Sequence, residues 1–315
     1  MSLIHRPYPK IASSGPQPAV GGEWIATEKI HGAQLAIGVD ATQTRVGKRK
    51  AWLSARESFF GWQILRQGLC ESARAIYEAI GGRGALFVYG ELFGGGYPHP
   101  HVAPVPGLAP VQTGIWYTPG LGFRVFDLLH VEDDGVPCFL SADQVAAAAE
   151  AGGLATPPVL GRGGRAALGA LPVRFATRVP HALGLPEIKG NWAEGYVLKP
   201  AARMAAADRP SVKRKIPELD ERAFDESGAL DPNAHLAMRE LRELVTHMVN
   251  PARLASARSK IGDEPSAVAA EVALDVLVDL VDMLPRQTEH LSPAEEAELT
   301  AVAEALALGQ LERVR

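Results

Sequence analysis

The run Glu28-Lys29-Ile30-His31-Gly32 sets a lysine at the end of an apolar stretch and just before a glycine turn, so a primary amine stands at the mouth of a sheet. Such an amine is a nucleophile only when neutral. Its ordinary value of about 10.4 must fall, through neighbouring cations or loss of water. Five more segments follow along the chain: Gly47-Lys48-Arg49-Lys50, Tyr89-Gly90-Glu91-Leu92-Phe93-Gly94, Phe123-Arg124-Val125-Phe126-Asp127, Glu194-Gly195-Tyr196-Val197-Leu198-Lys199-Pro200 and Val212-Lys213-Arg214-Lys215. Taken singly, each has a plain structural reading: a hairpin lysine, turn-flanking acids, a core phenylalanine, a solvated basic run.

Taken in order, these segments resemble the covalent nucleotidyltransferase superfamily of polynucleotide ligases and RNA capping enzymes. Within it the chain is most similar to the ATP-dependent RNA ligase 2 family, which includes the kinetoplastid RNA-editing ligases. The superfamily's first motif is commonly Lys-x-Asp-Gly, whereas Lys29-Ile30-His31-Gly32 after Glu28 has the histidine form of the RNA ligase 2 group. Gly47-Lys48-Arg49 leading to Phe59-Phe60-Gly61-Trp62 resembles that group too, as does the run from Gly90 to His99. The resemblance covers about residues 20–217. It departs at Gln34, where the family commonly has Asn, and at Arg214, Ile216 and Pro217, which replace smaller or polar neighbours.

The resemblance implies joining of RNA ends in three transfers. Lys29 attacks the α-phosphate of ATP to give a lysyl-AMP and pyrophosphate; AMP passes to an RNA 5′-phosphate; a 3′-OH then displaces AMP. Lys213 and Lys215, at i and i+2 of a strand, share a face and supply the cations that the amine and the triphosphate need. His31 acts after lysine adenylylation. Glu28 reads the adenine edge, and Ile30 is also expected among the nucleotide-binding residues. Arg49 contacts the sugar or the RNA 5′-phosphate, where a planar fork suits an anion. Glu91 meets the ribose and Phe126 stacks on the base. Glu194 serves mainly Mg²⁺ or Mn²⁺, and Lys199 contacts phosphate. The partners expected are ATP and RNA ends, nicked or single-stranded, prepared by a separate end-healing kinase or phosphatase. A cytoplasmic monomer is expected. A DNA ligase, a capping-type nucleotidyltransferase and a non-catalytic RNA-end-binding protein are the alternative readings.

The elements that must position these residues are legible in outline. Trp24–Ile30, Ala33–Val39, Ala85–Phe93, Phe123–Val131, Tyr196–Leu198 and Val212–Ile216 read as strands. Gly61–Ile80 has helical spacing and stops at Gly81-Gly82, while Ser141 and Gln144 form a capping box for a second helix. Gly161–Gly169 reads as a loop, and the first twenty residues as a loosely held strand or arm. Beyond Pro217 the period becomes helical, over Asn233–Asn250, Ser266–Leu284 and Pro293–Leu308, with a second capping box at Ser292 and Glu295. The fold expected is therefore α+β: a nucleotidyltransferase (ATP-grasp-like ligase adenylylation) domain of antiparallel sheets with helices over 1–217, then a smaller all-α domain over 218–315.

Composition bears on the same question. The 315 residues are 47% hydrophobic and 22% charged, with a net charge of −4. By count, residues 1–217 hold 23 Lys and Arg against 16 Asp and Glu, or +7; residues 218–315 hold 9 against 20, or −11. The near-neutral total thus conceals a basic body suited to phosphate and an acidic tail. The tail's Arg239, Arg242, Arg253, Arg258 and Lys260 are expected to gather on one RNA-facing side. No run of about 18 apolar residues exists, so no membrane span is expected. Cys70 and Cys138 are too few for a disulfide framework and read as buried free thiols. His99 and His101 lack the partners of a metal site, Gly94-Gly95-Gly96 is no dinucleotide fingerprint, and no nucleophile elbow is present.

Overall fold

The structure, a computed structural model, describes residues 3–11, 20–57, 59–132, 135–216 and 236–313. The chain divides into two compact units, Met1–Ile216 and Pro217–Arg315. The boundary expected near 217/218 and the first residues of the helix expected from Asn233 lie outside the described residues.

In the first unit β1 (Trp24–Glu28), β2 (Ala33–Val39), β3 (Thr44–Lys48) and β4 (Ala51–Trp52) are followed by a short 3-10 turn at Trp62–Ile64 and by α1 (Arg66–Ala79). β5 (Ala85–Gly96), β6 (Thr118–Val131), β7 (Cys138–Phe139) and α2 (Ala142–Ala151) come next. Then follow β8 (Val159–Gly163), α3 (Arg165–Gly169), α4 (Val179–Ala182), β9 (Gly195–Pro200), β10 (Met204–Ala205) and β11 (Val212–Lys215). Two antiparallel sheets result: a seven-stranded one in the order β10-β7-β6-β5-β2-β3-β4, and a four-stranded one in the order β11-β9-β1-β8.

Alternation along β2 assigns the faces. Leu35, Ile37 and Val39 join Leu69, Ala73 and Ile76 of α1 and Val145 and Ala149 of α2 in the main core. The other face carries Ala36, Phe87 and Tyr89, covered by Leu3 and Tyr8. Residues 3–11 are thus held at two buried side chains, while residues 12–19 of the expected arm lie outside the described residues. At Ser141 both halves of the capping box form, Gln144 N–H donating to Ser141 Oγ at 3.2 Å and Ser141 N–H to Gln144 Oε1 at 3.0 Å.

The loop expected over Gly161–Gly169 is corrected: β8 pairs with β1, and α3 follows it. Its Gly and Arg content hides it, because an edge strand borrows its bonds from β1 and needs little apolar patterning of its own. Cys70 and Cys138 are free and half-buried.

The described part of the second unit consists of helices: α5 (Met238–Met248), α6 (Pro251–Ile261), α7 (Pro265–Met283), α8 (Pro285–Thr288) and α9 (Pro293–Arg313). Leu241, Val245, Leu254, Val268, Val272, Val276, Leu299 and Ala303 form its core. The periodicity missed α6, whose start is set by the Asn250 side chain accepting from Arg253 N–H and by Pro251 in the first turn. The expected basic face does not form as drawn. Arg253 is 5% exposed and bound to Asp275 at 2.5 Å and Asp279 at 2.6 Å. Arg242 pairs with Glu298, Arg258 with Asp263, Lys260 with Glu271 and Arg239 with Glu243. Among the described residues no helix is long and apolar enough to cross a membrane.

Candidate nucleotide site

The smaller sheet delivers the amine. β1 ends at Glu28, and the Lys29 backbone N–H donates to the Gly195 carbonyl at 2.9 Å, pinning the residue beside the start of β9. Gly32 completes the turn because nothing larger fits there. A Cβ would lie 2.1 Å from the Leu92 carbonyl oxygen. Gly195 answers a second constraint, with φ at +143° and a would-be Cβ only 1.9 Å from the Arg214 carbonyl oxygen. Glu194 is thereby clamped next to β11, whose Lys215 pairs in register with Gly195.

Glu194 is the centre of the constellation. It is 2% exposed, with Lys29 Nζ at 2.6 Å, Lys215 Nζ at 3.2 Å and His31 Nδ1 at 3.4 Å. Burial alone would raise its carboxyl, but Lys29, Lys215 and His31 hold it well below the usual range. Lys213 lies two residues before Lys215 on the same strand, on the same face.

Glu91 reaches this group from β5 of the larger sheet. Burial pushes its carboxyl up to about 8, with the charge of Glu194 adding to the rise and Lys29 and Arg49 opposing it. That influence places Arg49, exposed in the turn after β3, in the same neighbourhood. Glu28 is 1% exposed and accepts from Thr177 Oγ1 and, at 2.9 Å, from Arg178 N–H. Burial raises its carboxyl despite those bonds. The Ile30 side chain is buried at 4% exposure.

Phe126 is the extra residue of a β-bulge, since Tyr89 pairs with Asp127 and Gly90 with Val125. A bulge re-aims side chains. Val125 stays in the main core, while the ring of Phe126 lies on the other face, edge-on to Tyr8 at 5.0 Å.

Lys199 is placed elsewhere than the phosphate contact expected of it. It is five residues from Glu194, about 16 Å along an extended strand. Its Nζ donates to the Phe126 carbonyl at 2.5 Å and lies 3.1 Å from Asp127. Asp127 also accepts from Tyr8 OH at 2.7 Å and from Nη1 and Nη2 of Arg209. Burial opposes its ionisation, yet Arg209 and Lys199 bring its carboxyl down to about 2. This cluster backs the ring of Phe126 rather than the Glu194 group.

So the fold brings together Lys29, His31, Glu91, Glu194 and Lys215, with Arg49 and Lys213 beside them, keeps Phe126 on the same face of the larger sheet as Glu91, and withdraws Lys199. Sequence reading missed Tyr117, Thr177, Arg178 and Arg209. Tyr117 is 1% exposed, and its hydroxyl accepts from His31 N–H at 2.9 Å. Burial and the charges of Glu28, Glu194 and Glu91 raise that hydroxyl well above its ordinary value. None of the four carries a local signal. Only Asp127 did, as the neighbour of Phe126.

Among the described residues no cluster of three His, Cys, Asp or Glu side chains could hold a metal unaided. A single ionised Glu194 fits instead a hard cation whose remaining oxygens come from phosphate and water, the usual habit of Mg²⁺.

The family model described as RNA ligase matches residues 22–215. The chain is 30% identical to RNA-editing ligase 2, mitochondrial, of Trypanosoma brucei brucei, over 82% of this chain and 77% of that protein. It is 28% identical to RNA-editing ligase 1, mitochondrial, of the same organism, over 84% of this chain and 68% of the other. Among solved structures an archaeal ATP-dependent RNA ligase aligns with a TM-score of 0.42 and 17% identity. That alignment takes in 97% of this chain but 64% of the solved one, so this chain spans less than two thirds of it.

Proposed function

Because the chain belongs to the RNA ligase family, we propose that it is an ATP-dependent ligase joining 3′-OH and 5′-phosphate RNA ends through a covalent lysyl-AMP on Lys29. The observation that carries this reading is the amine of Lys29 held 2.6 Å from a buried carboxylate that two further groups, Lys215 and His31, also face. The Lys29 nitrogen, once deprotonated, donates its electron pair to the α-phosphorus of ATP. The bond from that phosphorus to the bridging oxygen breaks, and pyrophosphate leaves with the pair. Lys213 and Lys215 offset the charge that builds on the phosphates. Glu194 would hold a divalent cation, Mg²⁺ or Mn²⁺, which neutralises phosphate charge when bound. An RNA 5′-phosphate oxygen then attacks the phosphorus of the lysyl-AMP and frees the amine, and a 3′-OH finally displaces AMP. The ring of Phe126 stacks on the base, Arg49 contacts the sugar or the RNA 5′-phosphate, and His31 serves the steps after adenylylation. The reading extends to a cytoplasmic monomer whose RNA ends are prepared by a separate kinase or phosphatase.

The test is incubation of the full chain with α-labelled ATP and Mg²⁺. Label should become covalently attached in the wild type and be absent from Lys29→Ala. Folded wild-type protein that takes no label would defeat the reading, and label from GTP alone would turn it toward capping chemistry. His31→Ala should still take label while sealing nicked RNA poorly. Equal loss of both steps would remove that role from His31.

A further inference from the structure

Gln34, Glu91 and Arg124 stand directly opposite one another on β2, β5 and β6. They form a polar row on the sheet face turned away from α1 and α2. Both flanking members carry a buried nitrogen with no acceptor, Nε2 of Gln34 and Nε of Arg124.

Arg124 is the more telling of the two. It is 6% exposed, and among the described residues its guanidinium makes one hydrogen bond, from Nη1 to the Thr156 carbonyl at 2.7 Å. Burial lowers its proton affinity, and the charge of Glu28 offsets this only through space. Arg209 and Arg253 are as deeply buried, but each is clamped onto carboxylate oxygens. A guanidinium this buried, with Nε shut off from water and idle, is unfavourable unless an acceptor-bearing ligand completes it.

Position says which part of a ligand that is. Arg124 precedes Phe126 by two residues on the same face, about 7 Å along the strand. It lies on the Glu28 side, whereas the lysines suited to phosphate gather on Glu194. An aromatic plane with donors at its edge fits a flat heterocycle with ring nitrogens in its rim. We propose that Arg124 reads the nucleobase, donating to a ring nitrogen of the purine that lies on Phe126 and so selecting the nucleotide that reaches Lys29. This rests on the ligase reading above and adds to it a specificity contact.

The experiment measures initial rates of covalent labelling of the full chain with ATP and with 1-deaza-, 3-deaza- and 7-deaza-ATP, each lacking one ring nitrogen. Wild type should take one of the three with a KM about tenfold above that for ATP and kcat nearly unchanged. Arg124→Met should show a similar rise in KM for ATP and lose the discrimination, so that the two effects do not multiply. Arg124→Lys should keep part of the discrimination. Three analogues used as well as ATP by wild type would overturn the proposal even where Arg124→Met fails to fold. So would a folded Arg124→Met with the wild-type KM, or effects that multiply. Wild type that takes no label from ATP itself would instead strike at the ligase reading.

Discussion

Glu91→Gln should change how the stability of the first unit depends on pH. The Glu91 carboxyl is pushed up to about 8 by burial, against an ordinary value of 4.5. A carboxyl raised in the fold keeps its proton on folding, so between these two values the unfolded chain binds one proton fewer. Stability contributed by this group is therefore greatest below pH 4.5, falls as pH rises, and levels off above 8. Gln copies the protonated form in size and removes the titration. Integrating one proton over these two values, the variant should gain about 2 kcal/mol on wild type between pH 6 and pH 8. All five tryptophans, at positions 24, 52, 62, 116 and 192, lie in this unit. Urea unfolding of the full chain followed by tryptophan fluorescence therefore reads it alone. Two stability curves that stay parallel from pH 6 to 8 would refute the reasoning, whatever their offset.

Other outcomes follow from the geometry. Arg253→Met leaves Asp275 and Asp279 facing each other without their cation, and should cost the helical unit about 3 kcal/mol. The loss should be seen by circular dichroism at 222 nm with the tryptophan transition unmoved, and Arg253→Met with Asp275→Asn and Asp279→Asn should recover most of it; no recovery would sink the account. Gly195→Ala must drive β11 away from β9, since its Cβ would meet the Arg214 carbonyl oxygen at 1.9 Å. It should destabilise the first unit by about 2 kcal/mol and reduce covalent labelling, because Lys215 leaves Glu194. A stable, fully labelled Gly195→Ala protein would show that the clamp is dispensable.

What could be read beforehand was whatever is encoded locally. Strand ends, capping boxes and the order of the charged segments need only neighbours in sequence, and Lys29, Glu91, Glu194 and Lys215 do converge. The failures share one cause. Lys199 lies on the strand that Glu194 leads into, so its residue type suggested a phosphate contact; the distance along β9 and the charge of Asp127 decide otherwise. Tyr117, Thr177 and Arg209 enter through loops whose sequence carries no period, and their partners lie 82 to 149 residues away. The tail's arginines looked available because an ion pair between helices leaves no mark in either helix alone.

The bulge in β6 has a further consequence. Counting along that strand, Val125 and Leu128 face the helices while Phe126 and Asp127, adjacent in sequence, both face away. The strand is two half-strands of opposite phase joined at one supernumerary residue. Removing Phe126 is then not the same perturbation as replacing it. A substitution costs one ring and keeps the bulge, whereas a one-residue deletion restores strict alternation with Val125 still toward the helices, Asp127 away and Leu128 toward them, so every later side chain keeps its face and the bulge is lost together with the ring. The aromatic plane is written into the chain as an insertion as much as a residue type: both faces of the strand survive its loss, and what disappears is the plane itself.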